Sequence, residues 1–141
     1  MNESVDQLSL AKNLASKAHC GQFRRDGETP YINHPASVAK RCKMQADGEV
    51  YQAVAWLHDS IEDSHLTSED LLRFGVKLGI INAVVAITKV DGEDYEKYLD
   101  RVKANPLARV VKIQDMLDNL ASSPTDKQIL RYAKGLQFLL S

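Results

Sequence analysis

The sequence predicts an all-α protein folded as a compact single domain over residues 1–141. Three observations carry that expectation. Apolar residues recur at helical spacing, first in Leu8, Ala11, Leu14, Ala15 and Ala18. Glycines and prolines punctuate the pattern between the stripes, at Gly21, Gly27, Pro30, Gly75, Gly92 and Pro124. No period-two alternation survives, because Val84-Val85-Ala86-Ile87 is too short and too embedded in helical context to stand as a strand. A chain of 141 residues buries roughly two thirds of its unfolded surface in a single core.

Each element follows in order. Ser4-Val5-Asp6-Gln7 reads as a capping box, with Ser4 accepting from the third amide and Gln7 reaching back, and predicts a first helix from about residue 4 to 20. Residues 21–33 form a loop carrying Arg24, Arg25, Asp26, Glu28 and Tyr31; loops of this length in compact domains tend to bind something. Pro35 suits the first turn of a second helix with Val38, Ala39 and Cys42 inward. A third helix spans 48–60 on the Val50, Ala53, Val54, Leu57 stripe. Thr67-Ser68-Glu69-Asp70 starts a short helix ending by Gly75, and 76–87 has the apolar density of a buried one. Residues 88–93 turn about Asp91-Gly92, and 94–104 is helical and polar on most faces. Pro106 opens a helix bearing Leu107, Val110, Val111, Ile113, Met116, Leu117 and Leu120; Pro124 stops it, and 126–140 closes the domain.

Composition narrows the function classes. A net charge of −1 argues against a general nucleic-acid binder, which needs many cations to displace counterions from phosphates. No stretch approaches the length of a membrane span, and the first ten residues lack a basic start followed by an apolar block, so a soluble, cytoplasmic protein is expected. Cys20 and Cys42 are isolated and are expected as reduced, partly buried thiols. Lys40-Arg41-x-Lys43 reads as a solvated helix face, whereas Arg24-Arg25 sits in a loop and offers planar donors for phosphate.

The densest chemistry lies at His58-Asp59, which follows Ala53-Val54-Ala55-Trp56-Leu57 and leads into Ser60-Ile61-Glu62-Asp63. Burying an imidazole and a carboxylate there is costly unless a partner compensates, and a divalent cation compensates both. His34 beside Pro35, and Asp115 inside the apolar 110–120 segment, add metal-competent groups on other elements. Singly, each is an ordinary helix residue. Together they indicate a metal centre, whose mixed imidazole and carboxylate donors suit Mn, Fe, Co or Zn without choosing among them. If helical phase holds from His58 onward, Glu62 stands on the face those ligands address, where it can reach water whose pKa a divalent ion lowers from about 15.7 toward ~7. Asn119, four residues past Asp115, shares its face. His19 reads as a core residue that holds the loop, His65 as a surface residue, and Tyr31 as one that packs the loop down rather than touching substrate.

His34, His58-Asp59 and Asp115 resemble, in order and setting, the H…HD…D signature of the HD-domain phosphohydrolases. Ala18-His19-x-Gly21-Gln22-x-Arg24-Arg25, Pro30-Tyr31-Ile32-Asn33-His34-Pro35, Leu57-His58-Asp59-x-Ile61-Glu62-Asp63 and Lys112-x-x-Asp115-x-x-x-Asn119 are similar, more closely, to the hydrolase domain of RelA/SpoT proteins and the stand-alone small alarmone hydrolases. The resemblance runs from about residue 8 to 138. It implies the compact helical HD-domain fold, one divalent ion, foremost Mn2+, and removal of pyrophosphate from the 3′ position of (p)ppGpp. By resemblance His34, His58, Asp59 and Asp115 would be the metal ligands, and Glu62 and Asp63 would activate water or shuttle protons. Asn119, Ser122 and Tyr132 would fall on the nucleotide pocket, with Arg24 and Arg25 near base and phosphates. The chain departs from the family pattern at Ser122, where threonine is common, at Asp118, a position often held by histidine or tyrosine, and in a short 122–132 segment.

The expected partner is therefore a small nucleotide, with no nucleic acid and no membrane; oligomeric state is not legible. With no synthetase segment after Ser141, hydrolysis rather than synthesis is expected. A different nucleotide phosphoester, such as a 2′- or 3′-phosphorylated cofactor, would use the same site. A nucleotide-sensing module without turnover would instead bind ppGpp intact.

Overall fold

The computed structural model describes residues 6–43 and 48–141, and among them the chain is all-α, with nine helices and no strand. The first helix, α1 (Gln7–Ala18), is capped by Asp6, whose carboxylate accepts from the amides of Leu8 at 3.1 Å and Ser9 at 3.4 Å. The helix thus begins later than expected; Ser4 of the anticipated capping box lies outside the described residues. Gln7 turns to the 75–77 segment, donating to the Gly75 carbonyl at 3.1 Å and accepting from the Lys77 amide at 2.9 Å.

The 21–33 loop is a pinned hairpin-like turn. Phe23 and Pro30 form an isolated antiparallel bridge, and the Arg24 amide donates to the Thr29 carbonyl at 2.8 Å. Gly27 takes a φ of +74° at the tip, a left-handed conformation that glycine adopts without cost. The loop delivers the chain into α2 (Asn33–Cys42), whose buried face carries His34, Val38, Ala39 and Cys42. α2 packs on α3 (Gly48–Leu57), which also covers α1.

The expected helix over 48–60 is broken. α3 stops at Leu57, residues 58–59 turn, and a new turn of helix, α4 (Ser60–Asp63), follows. His58 Nδ1 lies 2.6 Å from the Ala55 carbonyl, and the Ser60 hydroxyl donates to the Leu57 carbonyl at 2.7 Å. These side chains take acceptors that a continuing helix would need, a local competition that helix periodicity does not reveal. Ala53, Val54 and Leu57 are fully buried as expected, but Val50 is 39% exposed and lies off the core stripe.

The remaining helices complete the core. α5 (Ser68–Arg73) carries the capping box in which Thr67 and Asp70 exchange side-chain and backbone bonds. α6 (Leu78–Ile87) is buried along most of its length, and α7 (Tyr95–Ala104) faces inward with Tyr98, Leu99 and Val102. α8 (Pro106–Leu120), with Pro106 in its first turn and Asn105 capping, runs past α2, α3, α6, α7 and α9. α8 leaves the helix at Ala121, ahead of Pro124, and α9 (Asp126–Leu140) starts on a second capping box, Thr125 with Gln128. α8 buries Ala108, Val111 and Met116 together with Asp115 and Asp118, so carboxylates lie on a core face. No helix among the described residues is long and apolar enough to cross a membrane. The cysteines differ from expectation: Cys20 is exposed and Cys42 fully buried, both free thiols.

Candidate metal centre

α2, the 58–59 turn and α8 bring four sequence-predicted groups together. His34 Nε2 lies 2.7 Å from Asp115 Oδ1 and 3.9 Å from Asp59 Oδ2. His58 Nε2 lies 3.1 Å from Asp59 Oδ2 and 3.4 Å from Asp115 Oδ1, and the imidazole centroids are 5.3 Å apart. Both rings and Asp115 are buried. His58 and Asp59 stand in the turn between α3 and α4 rather than inside a continuous helix.

The outer nitrogen of each ring is engaged. His34 Nδ1 is 2.8 Å from Asp118 Oδ2, and His58 Nδ1 is 2.6 Å from the Ala55 carbonyl. A carboxylate and a carbonyl only accept, so both Nδ1 atoms carry a hydrogen, and both Nε2 atoms face carboxylate oxygens that only a proton or a metal cation can join to them. Acceptor against acceptor is repulsive until positive charge enters. His58 Nε2 is moreover buried without a hydrogen-bond partner. Burial alone would lower the His58 pKa, but Asp59 and Asp115 push it well above the usual imidazole value. Burial would raise Asp115, yet Lys112 and the two imidazoles hold it well below the carboxylate range, and Asp59 falls to about 2 as His58 overrides its own burial. A cluster that binds a proton this strongly fits a divalent cation: His34, His58 and Asp115 offer donor atoms all within 4.8 Å of one another, and Asp59, Glu62 and Asp63 form an adjoining set.

Surrounding groups fix the carboxylates. Asp115 Oδ2 accepts from Lys112 Nζ at 2.9 Å, and its Oδ1 from Asn119 Nδ2 at 3.3 Å. Tyr31 donates its hydroxyl to Asp59 Oδ2 at 2.6 Å. Besides packing the loop the tyrosine supports Asp59, and burial, then the charge of Asp59, drives its pKa upward. Arg41 is likewise not simply solvated, since its Nε reaches Asp118 Oδ1 at 3.2 Å. His19 holds the loop as expected: it is buried, 2.9 Å from Gln22 Oε1, and Gln22 donates to the Asp63 carbonyl at 2.7 Å. His65 is exposed.

The cluster opens into a cavity of about 260 Å³ whose walls include Arg24, Arg25, Tyr31, Glu62, Lys112, Asn119 and Gln128. A neighbouring cavity of about 670 Å³ shares Arg24, Arg25 and His34 and adds Asp26, Ser37, Asp118 and Ser122. Glu62 thus reaches the cavity despite the broken helical phase; its Oε1 accepts from the Lys89 amide at 3.2 Å. Burial, then Asp59 and Asp63, raise the Glu62 pKa, and burial and Asp59 raise that of Asp63. Asp63 is exposed beside Glu62, and the Ser122 hydroxyl donates to the Asp118 carbonyl at 3.0 Å. Tyr132 is buried in α9 under the Arg131 guanidinium, 5.2 Å from its ring centroid, and lines neither cavity. Sequence reasoning assigned no role to Lys112, Asp118 or Gln128. Lys112 and Asp118 stand three residues either side of Asp115, a spacing that puts all three on one helix face.

No protein-family model matches the chain. Among similar proteins, the human guanosine-3′,5′-bis(diphosphate) 3′-pyrophosphohydrolase MESH1 is 37% identical over 128 residues, covering 85% of this chain and 71% of that protein. An Aquifex aeolicus guanosine-3′,5′-bis(diphosphate) 3′-pyrophosphohydrolase is 32% identical over 126 residues, 84% of this chain, but the match spans only 18% of that longer protein. A solved structure of a metazoan ortholog of SpoT, described as hydrolysing ppGpp, superimposes with a TM-score of 0.79 over 99% of this chain and 88% of that one, at 23% identity. The chain therefore belongs to the family of guanosine-3′,5′-bis(diphosphate) 3′-pyrophosphohydrolases that includes MESH1.

Proposed function

We propose that this chain is a metal-dependent phosphohydrolase, a single HD-type domain that hydrolyses (p)ppGpp to pyrophosphate and GDP or GTP. The observation that carries the reading is the convergence of His34, His58, Asp59 and Asp115 beside Glu62, in a chain 37% identical to a protein named for that reaction. The ligand set suits one Mn2+ ion, which when bound would supply Lewis acidity and acidify water. In the hydrolysis, water gives hydroxide to the 3′ phosphorus, the bond from that phosphorus to the 3′ oxygen breaks, and the oxygen leaves with a proton.

This chain's own residues divide the remaining work. Glu62 and Asp63 would accept the proton from water and return one to the 3′ oxygen, a reading supported by carboxyls that sit above their ordinary pKa values. Arg24 and Arg25, on the walls of both cavities, present guanidinium donors to phosphate. Asn119 and Ser122, each on a cavity wall, offer hydrogen bonds to the nucleoside, whereas Tyr132 lines neither cavity and receives no role in binding. An exposed free thiol at Cys20 suits a reducing compartment, so we place the protein in the cytoplasm.

Purified protein with Mn2+ is expected to convert ppGpp to GDP and pyrophosphate, read by anion-exchange chromatography, while Asp59→Ala does not. Equal turnover by the two would sink the assignment. Glu62→Gln is expected to keep the ion and lose about 10²- to 10⁴-fold in kcat, which metal analysis beside kinetics checks.

A further inference from the structure

We propose that Asp118 is a positioning residue for His34, fixing the imidazole so that Nε2 faces the cation; this rests on the metal reading above. The His34 ring is gripped at both nitrogens by carboxylates of one helix face. Asp115 Oδ1 stands 2.7 Å from Nε2, and Asp118 Oδ2 stands 2.8 Å from Nδ1, three residues further along α8. Both carboxylates can only accept, so in the metal-free chain each ring nitrogen can carry a hydrogen; when a cation takes Nε2, Asp118 holds the remaining hydrogen on Nδ1 and keeps the ring turned to the ion. A carboxylate behind an imidazole also makes that imidazole a more basic ligand.

Asp118 is itself held. Its Oδ1 accepts from the Ser37 hydroxyl at 2.5 Å and from Arg41 Nε at 3.2 Å. Ser37 and Arg41 follow His34 by three and seven residues, so α2 presents ligand, hydroxyl and counter-charge along one face, and α8 answers with two carboxylates. With both oxygens engaged and only 6% of the residue exposed, Asp118 holds His34 from behind and stands outside the convergent donor set. His58 is oriented differently, through the neutral Ala55 carbonyl. The centre thus has one charge-backed and one carbonyl-backed imidazole.

The test uses the full chain, freed of metal and titrated with Mn2+ alone by calorimetry, beside the thermal midpoint of the metal-free protein. Asp118→Ala is expected to weaken Mn2+ binding by about 10- to 100-fold. Asp118→Asn, which keeps an oxygen able to accept from Nδ1, is expected to recover part of that loss. Parental affinity in Asp118→Ala, even with a lowered midpoint, would assign the residue a structural role only and overturn the proposal. If Asp118→Ala does not fold, Asp118→Asn decides: parental affinity overturns the proposal and weakened affinity at a parental midpoint supports it. Failure of the parent protein to bind Mn2+ would overturn this proposal and the metal reading together, whereas parental binding with no effect of Asp118 removes this one alone.

Discussion

Lys112 shows how one side chain decides the character of the centre. Its ammonium lies 2.9 Å from Asp115 Oδ2 and 5.5 Å from the Tyr98 ring centroid, in a setting that burial makes unfavourable for charge. Burial would lower the Lys112 pKa, but Asp115 and Tyr98 raise it well above the usual lysine value, so the residue stays charged. It occupies one oxygen of Asp115 and leaves the other turned to the imidazoles. Lys112→Met leaves Asp115 to the imidazoles and Asn119 alone, and losing this buried pair costs up to about 3 kcal/mol. A bound divalent ion supplies compensating charge, so the loss is expected to be larger in chelator than in Mn2+. Urea unfolding of parent and variant under both conditions measures this; the same loss in each would show that Lys112 does not share its duty with the ion.

The hairpin between α1 and α2 is the element that presents Arg24 and Arg25, and Asp26 pins it. Asp26 accepts from the amides of Glu28 and Thr29, each at 2.9 Å, and from the Thr29 hydroxyl at 2.5 Å. The Thr29 hydroxyl first, then those amides, draw the carboxyl from 3.8 to about 2. Because the folded value lies below the unfolded one, the contribution is present above about 3.8 and lost as pH falls through about 2. At neutral pH the tip is therefore fully held. Asp26→Ala is expected to raise KM several-fold with little change in kcat or melting midpoint, since the tip is exposed and far from the core; an unchanged KM would show that the arginines need no such support. Elements of this kind separate what was legible from what was not. The Thr67 capping box and the proline in the first turn of α8 act on their immediate neighbours, so their sequence signals held. The break at 58–59 escaped because the His58 and Ser60 side chains capture carbonyls within an unbroken apolar pattern.

At the scale of the molecule, the convergence of His34, His58, Asp59 and Asp115 was legible, while the groups that hold these proposed ligands were not. Asp118 meets His34 across 84 positions, and Tyr31 meets Asp59 across 28, contacts that only the packing of α2, the loop and α8 creates. The same packing makes the centre a tie between separate elements: α2 holds His34, the turn after α3 holds His58 and Asp59, and α8 holds Asp115. A ligand that binds the folded chain and not the unfolded one stabilises it by about 2.7 kcal/mol at one hundred times its Kd. For a chain of this length that corresponds to a rise of roughly 5–10 °C in the melting midpoint. Mn2+ is therefore expected to raise the midpoint of the parent and to leave that of His58→Ala nearly unmoved. Removing His58 takes a compensating positive charge from Asp59 and Asp115 in the metal-free cluster and empties a fully buried site, so the metal-free midpoints of the two proteins are compared first and the metal-induced shift is read from each. Shifts of equal size in parent and His58→Ala would mean that the ion binds elsewhere, and a shift in neither would mean that the three elements are not tied through a cation at all.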